Sequence, residues 1–220
     1  MALESVLAGF VATWRRRHPE IQVQLTEDSG SRLLDRLERR ELQLAMTVWG
    51  DRRFLSRPLF PVGILAVMPR RHPLGARTRI EVTDLADQQL LLLRDDFISR
   101  RWFDAACEVA HVRPRARLQS GAPHTLIALA RSGLGIAVVP TPTRIGRTGM
   151  RVVPVVYRGK PVGGWMAINW DRRRFLPPYA EDFSDALVRS TTLRYPGREF
   201  RLARHLPRPG KALDDGLDPT

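Results

Sequence analysis

RSGLGIAVVP, residues 131–140, sets two glycines two positions apart, then four apolar residues and a proline. A glycine loop that cradles a phosphate follows a strand and opens a helix, so that the helix N-terminus faces the anion. Here the order is reversed. The helical pattern TLIALARS comes first, and the apolar run IAVVP follows it as a strand. Gly133 is expected to end the helix in a left-handed C-cap, and Gly135 to let the chain turn tightly into the strand. The negative end of the helix dipole points at these glycines and repels an anion. The stretch reads as the helix-to-strand junction of an α/β layer.

The same alternation extends in both directions. Leu3, Val6, Leu7, Phe10, Val11 and Trp14 recur with helical spacing on one face, and Arg15, Arg16 and Arg17 then Pro19 mark the helix end. IQVQL (21–25) alternates as a half-buried strand, Asp28 to Ser31 form a turn, SRLLDRLERRE is a helix and LQLAMTV (42–48) a strand. This opening unit predicts a parallel sheet with helical crossovers. Residues 51–61 are polar and proline-containing, and GILAVMP (63–69) is a strand. VTDLAD follows as a short capped helix, QQLLLLR (88–94) as a strand buried on both faces, and 99–111 as a helix. RPRARLQS is a strand and GAPHTLIALARSG a helix, with IAVVP, MRVVPVVY and GGWMAINW as further strands. LPPYAEDFSDALVRS closes the globular part as a helix, and the Pro-, Gly- and Arg-containing residues 192–220 are expected to be a tail.

Composition narrows the function classes. The net charge is +13, yet of 36 basic residues only Lys160 and Lys211 are lysine, so 34 are arginine, spread over every segment. The codon bias of a GC-rich genome explains that spread as well as function does, because a nucleic-acid face needs clustering. Cys107 is the single cysteine, which excludes an internal disulfide and a cysteine-based metal site; within WFDAACEVA it reads as a buried, inert thiol. No apolar run has the length of a membrane span, and the N-terminal charges follow the apolar stretch, the reverse of a signal peptide. The expectation is a cytoplasmic protein without membrane contact.

ALARSGLGIAVVP resembles the V-x-x-G-x-G-I-x-x-x-P stretch of the effector-binding domain of LysR-type transcriptional regulators. VLAGFVATWRRRHPEIQVQLTED is similar to that family's opening helix and following strand, and LLDRLERRELQLAM to its next helix and strand. RPLFPVGILAVMPRRHPLG and VTDLADQQLLLL resemble its crossover and the entry to its second lobe, so the resemblance covers residues 2–191. It implies an α/β, two-lobed periplasmic-binding-protein-like fold of type 2, each lobe a mixed sheet with flanking helices, joined by two crossover strands. Lobe I is expected at 1–66 plus 167–191 and lobe II at 67–166. The resemblance further implies a small effector in the interlobe cleft, a homodimer or tetramer, and DNA contact only through a helix-turn-helix that is absent from these residues. The family's first strand of lobe I also has no counterpart, so the expectation is a piece of a longer protein, a displaced start, or a diverged chain. Arg40 stands where the family has glycine and Gln43 where it has aspartate.

Ligand contacts in such folds come from loops at the carboxyl ends of strands. Ser29, Gly30 and Ser31 offer N–H groups and hydroxyls to a carboxylate, or simply cap a helix. Thr47 and Trp49 follow the second strand; Trp49 stacks on a ligand, plugs the cleft or packs as core. Arg94 and Asp95 lie at the matching loop of lobe II, where Arg94 pairs either with an acidic effector or with the neighbouring acids. Gln119, Ser120 and Gly121 precede the helix carrying His124, which is structural more often than ligating. The basic balance, Arg94 and Trp49 favour an organic acid, aromatic in character. No G-x-S-x-G, H-E-x-x-H, P-loop or CxxC is present, so neither an enzyme nor a cofactor nor a metal is expected. Two rival readings share the scaffold, a solute-binding receptor and an enzyme on the same two lobes.

Overall fold

In the computed structural model, which describes residues 4–146, 148–195, 197–202 and 205–206, one long strand organises both halves of the molecule. The elements in chain order are α1 (Glu4–Arg17), α2 (Gly30–Glu38), β1 (Ala45–Val48), β2 (Phe54–Pro69), β3 (Ile80–Glu81) and β4 (Gln89–Leu93). They continue with α3 (Ile98–Val109), β5 (Arg115–Ser120), α4 (Pro123–Arg131), β6 (Ile136–Pro140) and β7 (Met150–Tyr157). β8 (Lys160–Pro161), β9 (Gly163–Asp171) and α5 (Pro178–Leu193) complete the order. The strands run in the order β1-β9-β2-β6-β4-β5, with β7 also paired to β2 and with β3 and β8 paired to β7. β2 pairs antiparallel with β9 from Phe54↔Asp171 to Gly63↔Gly163, then changes partners to β6 from Ile64 and to β7 from Leu65.

The junction behaves as its residue types dictate. Gly133 has φ +82, its N–H donates to the Ala130 carbonyl, and the Leu134 N–H donates to Leu129. These paired bonds form a Schellman cap. Two other helix ends close with the same bond pattern but without glycine, at Arg40 (φ 66) and His111 (φ 54). A left-handed conformation costs a non-glycine residue about 1–2 kcal/mol, partly offset because glycine loses more freedom on folding. Arg40→Gly and His111→Gly are each expected to stabilise the fold by about 0.5–1 kcal/mol, read as a higher denaturation midpoint at unchanged slope.

The apolar run in β4 is buried on both faces. Leu90 and Leu92 join Ile64, Met68, Ile136 and Phe103 beneath α3. Leu91 and Leu93 point the other way, onto Leu126, Ile127 and Ala130 of α4. In the first half, Phe60, Val62, Met166 and Ile168 pack under α1 and α5. Cys107 lies in the α3 cluster at 2% exposure, and burial, helped by Asp104, pushes its thiol up to about 12. At neutral pH this side chain is a protonated hydrophobe.

Several expectations are corrected. Residues 21–25 form no strand, and among the described residues β1 has β9 as its strand neighbour. Alternating polarity cannot make a strand without a second backbone to pair with. An apolar groove of about 210 Å³, lined among others by Val23, Leu25, Leu44 and Met46, lies between the two segments. The parallel pairing expected in the opening unit does not form, since residues 21–25 are no strand and β1 pairs antiparallel with β9; parallel pairs are β4 with β5 and β6, and β3 with β7. The crossover strand starts at Phe54 rather than residue 63, accommodating Pro58 and Pro61 with a register shift between Pro58 and Phe60. Part of the expected tail is docked, with Leu202 and Leu206 buried; residues 207–220 lie outside the described residues. No helix among the described residues is long and apolar enough to cross a membrane.

Candidate cleft between the two halves

Two helix N-termini face one cavity. At α2, the N-cap Ser29 makes no side-chain capping bond, and the first intrahelical bond is Leu33 N–H to the Ser29 carbonyl. The N–H groups of the first turn therefore stay available to a ligand. The Asp28 carboxylate accepts the Ser29 N–H at 2.8 Å and fixes the loop, while the Ser29 and Ser31 hydroxyls lie 3.3 Å apart. At α3, the N-cap Phe97 offers no side-chain acceptor, and its carbonyl takes the N–H groups of Arg100 and Arg101. The N–H groups of Ile98 and Ser99 are thereby left over, with Ser99 itself 6% exposed. The positive ends of both helix dipoles thus meet across the same space.

That space is a cavity of about 540 Å³, with Ser29, Gly30, Ser31, Thr47 and Trp49 on one wall and Phe97, Ser99, Arg101 and Trp102 on the other. Val62 of β2 and Met166 of β9 are also in the lining, along the pair of strands that joins the halves. A volume of this size suits a small molecule, and its aromatic and aliphatic lining suits an apolar body with few polar groups.

The charged groups are unevenly committed. Arg53 is held by Asp51 at 2.9 Å and Glu38 at 3.0 Å, and its hydrogen bond to Asp51 keeps that carboxyl below its ordinary range. Arg101 also lines the cavity, and no ion pair engages it among the described residues. Thr47 is buried and its hydroxyl oxygen accepts from Asn169 Nδ2 at 2.9 Å, which leaves the hydroxyl hydrogen to donate. Asn169 is itself fixed by Ser56, whose hydroxyl donates to Oδ1 at 2.6 Å, so a buried polar chain from β2 through β9 positions Thr47.

The structure separates the residues singled out in the sequence. Ser29, Gly30, Ser31, Thr47 and Trp49 come together on the cavity wall. Arg94, Asp95, Gln119, Ser120, Gly121 and His124 lie outside that lining. Arg94 pairs with Asp96 at 3.1 Å and its guanidinium packs against Gly121, while the Ser120 hydroxyl accepts the Ala122 N–H at 3.1 Å. Their neighbours Leu93, Asp96 and Pro123 reach the cavity instead. Phe97, Ser99, Arg101 and Trp102 also line the cavity, although in sequence they lie beyond the loop after β4 and largely within the helix expected at 99–111. A helix start directly after a buried strand, with a serine and an arginine in its first turn, was the available signal.

A family model described as the LysR substrate binding domain matches residues 1–192. The uncharacterized HTH-type transcriptional regulator YybE of Bacillus subtilis is 22% identical over 186 residues, covering 84% of this chain and 63% of that protein. The transcriptional dual regulator GltC of the same organism is 22% identical over 188 residues, covering 83% of this chain and 62% of that protein. The chain therefore spans less than two thirds of either regulator's length. Among solved structures, the CcmR regulatory domain of Synechocystis PCC6803 in complex with 2-PG superposes with TM-score 0.78 at 17% identity, covering 86% of this chain and 93% of that one. The effector-binding domain of QuiR in complex with shikimate gives TM-score 0.72 at 16% identity, covering 86% and 91%. Both are similar to this chain in fold.

Proposed function

The chain belongs to the LysR substrate-binding domain family, a two-lobed periplasmic-binding-protein-like fold, and from that premise we propose that it senses a small organic acid between its lobes. The observation that carries this reading is the cavity of about 540 Å³ faced by the N-termini of α2 and α3 and by the uncommitted Arg101. A carboxylate placed there receives N–H groups from a helix dipole and a charge-assisted bond from a guanidinium. Trp49, Phe97 and Trp102 give an aromatic or branched apolar body surfaces to pack on. Arg101 supplies the positive charge in this reading, because of the two partners open to Arg94, an acidic effector or a neighbouring acid, Asp96 engages it.

In this proposal lobe I comprises about residues 1–66 plus 167–191 and lobe II about 67–166, with the passage near Gly63 and Gly163 where strand pairing changes partners. Acid binding favours a closer approach of α2 and α3, and the change in lobe geometry is passed to a homodimer or tetramer. The relatives are transcriptional regulators. We accordingly assign the domain a regulatory role in the cytoplasm, with DNA contacted by a helix-turn-helix outside these residues.

Thermal denaturation with paired acids and amides tests the proposal. At a hundredfold excess over Kd, a bound acid such as benzoate is expected to stabilise the fold by about 2.7 kcal/mol, a rise of about 5–10 °C. Benzamide is expected to give no comparable shift, and Arg101→Ala to weaken acid binding about tenfold or more. Equal shifts from acids and amides, or undiminished acid binding by Arg101→Ala, would reject the charge assignment.

A further inference from the structure

The residues that follow α5 lie beyond the stretch matched by the family model, yet they are fastened to the one place where the lobes must bend. β2 and β9 stop pairing at Gly63↔Gly163. Gly163 has φ +156, and a Cβ there would come within 2.1 Å of the Val62 carbonyl oxygen, so no larger residue fits between the two strands. Rotation of one lobe against the other has to pass through this pair and its neighbours.

Four contacts bind Tyr195, Gly197, Phe200 and Leu202 around that point. The Tyr195 ring stacks on Phe60, in the lobe I core, with centroids 5.9 Å apart. Gly197, at φ +85, lies so close to Thr141 that a Cβ would be 2.6 Å from its side chain. Thr141 in turn holds both backbone groups of Gly63, donating its N–H to the carbonyl at 2.9 Å and accepting the Gly63 N–H on Oγ1 at 3.3 Å. Leu202 is 1% exposed and covers Gly63, where a Cβ would meet its Cδ1 at 2.7 Å. Phe200 packs against the cluster that contains Val67 and Val139 of lobe II. The segment is therefore anchored before the hinge, on it and after it.

We propose that Tyr195 and residues 197–202 are a strap that holds the interlobe hinge in the arrangement seen here, so that lobe movement requires Leu202 to leave Gly63. The strap sets the balance between lobe arrangements, and any ligand that closes the cleft works against it. The inference rests on the two-lobed architecture and not on the nature of the effector, and its test uses no ligand.

Amide hydrogen exchange on the whole chain compares wild type with Leu202→Ala, Gly63→Ala and the double variant. Gly63 carries no positive φ, so alanine there strains only the contact with Leu202. Each single variant is expected to speed exchange at residues 62–65, 141 and 162–164 about tenfold or more, with the amides of β4 and α3 unchanged. In the double variant the added methyl occupies part of the space that Leu202 vacates, and exchange is expected to return toward wild type. Spin labels at Arg39→Cys and Arg113→Cys, in a Cys107→Ser background, are expected to give a broader interlobe distance distribution when Leu202→Ala is added. Unchanged hinge exchange in both single variants, exchange accelerated uniformly through the chain, or an unbroadened distribution would overturn the proposal.

Discussion

Gly135→Ala is expected to destabilise the fold by about 3 kcal/mol or more, lowering the thermal midpoint by roughly 6–12 °C. A Cβ at this position would lie 2.3 Å from the Gln89 carbonyl oxygen and 3.1 Å from its carbon. Those atoms are backbone in the neighbouring strand, where Leu90 pairs with Ile136, so neither side can give without breaking the β4–β6 ladder. Gly133→Ala provides the control. Its Cβ would meet nothing within 4 Å, and the cost is the left-handed φ of +82 alone, about 1–2 kcal/mol. Chemical denaturation is expected to rank Gly135→Ala well below Gly133→Ala in stability; the reverse order would show that the second glycine is a matter of turn geometry and not of close strand approach.

Phe103→Ala is expected to cost about 3–5 kcal/mol. The ring is fully buried between α3 and the faces of β2, β4 and β6, touching the cluster that contains Ile64, Leu90, Leu92 and Ile136. Removing it leaves a cavity that a close-packed sheet cannot collapse to fill. The consequence reaches function, because α3 also carries Ser99, Arg101 and Trp102. A helix that is loose on the sheet presents its N-terminus imprecisely, so acid affinity in the surviving folded population is expected to fall as well. Denaturation curves give the first effect and titration calorimetry below the midpoint gives the second.

The path from sequence to architecture was short where local chemistry and tertiary packing agree. RSGLGIAVVP announces its cap and strand because a glycine after a helix has one economical conformation, and Gly133 adopts it. QLLLL could be read as doubly buried because no solvated strand tolerates four consecutive leucines. Legibility failed where a partner decides the outcome. IQVQL has the polarity of a strand but no ladder, since among the described residues no strand pairs with it and β1 pairs with β9. The span 51–61 hid the first half of β2, since Pro58 and Pro61 argue against a strand that the β9 ladder nonetheless sustains.

The lining of the candidate cavity was legible on one wall and not on the other for a related reason. Ser29, Gly30, Ser31, Thr47 and Trp49 follow directly from the rule that ligands meet the carboxyl ends of strands. Arg94 obeys the same rule in sequence, but a free arginine beside Asp95 and Asp96 neutralises itself locally, at 3.1 Å from Asp96. The arginine that lines the cavity without an ion pair among the described residues comes seven residues later, at Arg101 in the first turn of α3. Residues beyond 192 look like a tail in sequence because Tyr195, Phe200, Leu202 and Leu206 follow no single period; Tyr195, Phe200 and Leu202 pack on three different surfaces and Leu206 is buried.

The acid proposed to bind in the cavity between α2 and α3 can be displaced from within. Gly30 offers the most direct test, because it lines that cavity and a Cβ added there meets nothing within 4 Å. Gly30→Trp should fill the space without disturbing the fold. Calorimetric titration of both proteins with a series of aromatic and aliphatic monocarboxylates is the measurement. One-to-one binding of at least one acid to the wild type is expected, with a loss of about a hundredfold or more in Gly30→Trp and the thermal midpoint of the free protein unchanged. Undiminished binding in Gly30→Trp, or no acid bound by the wild type across the series, would contradict the proposal.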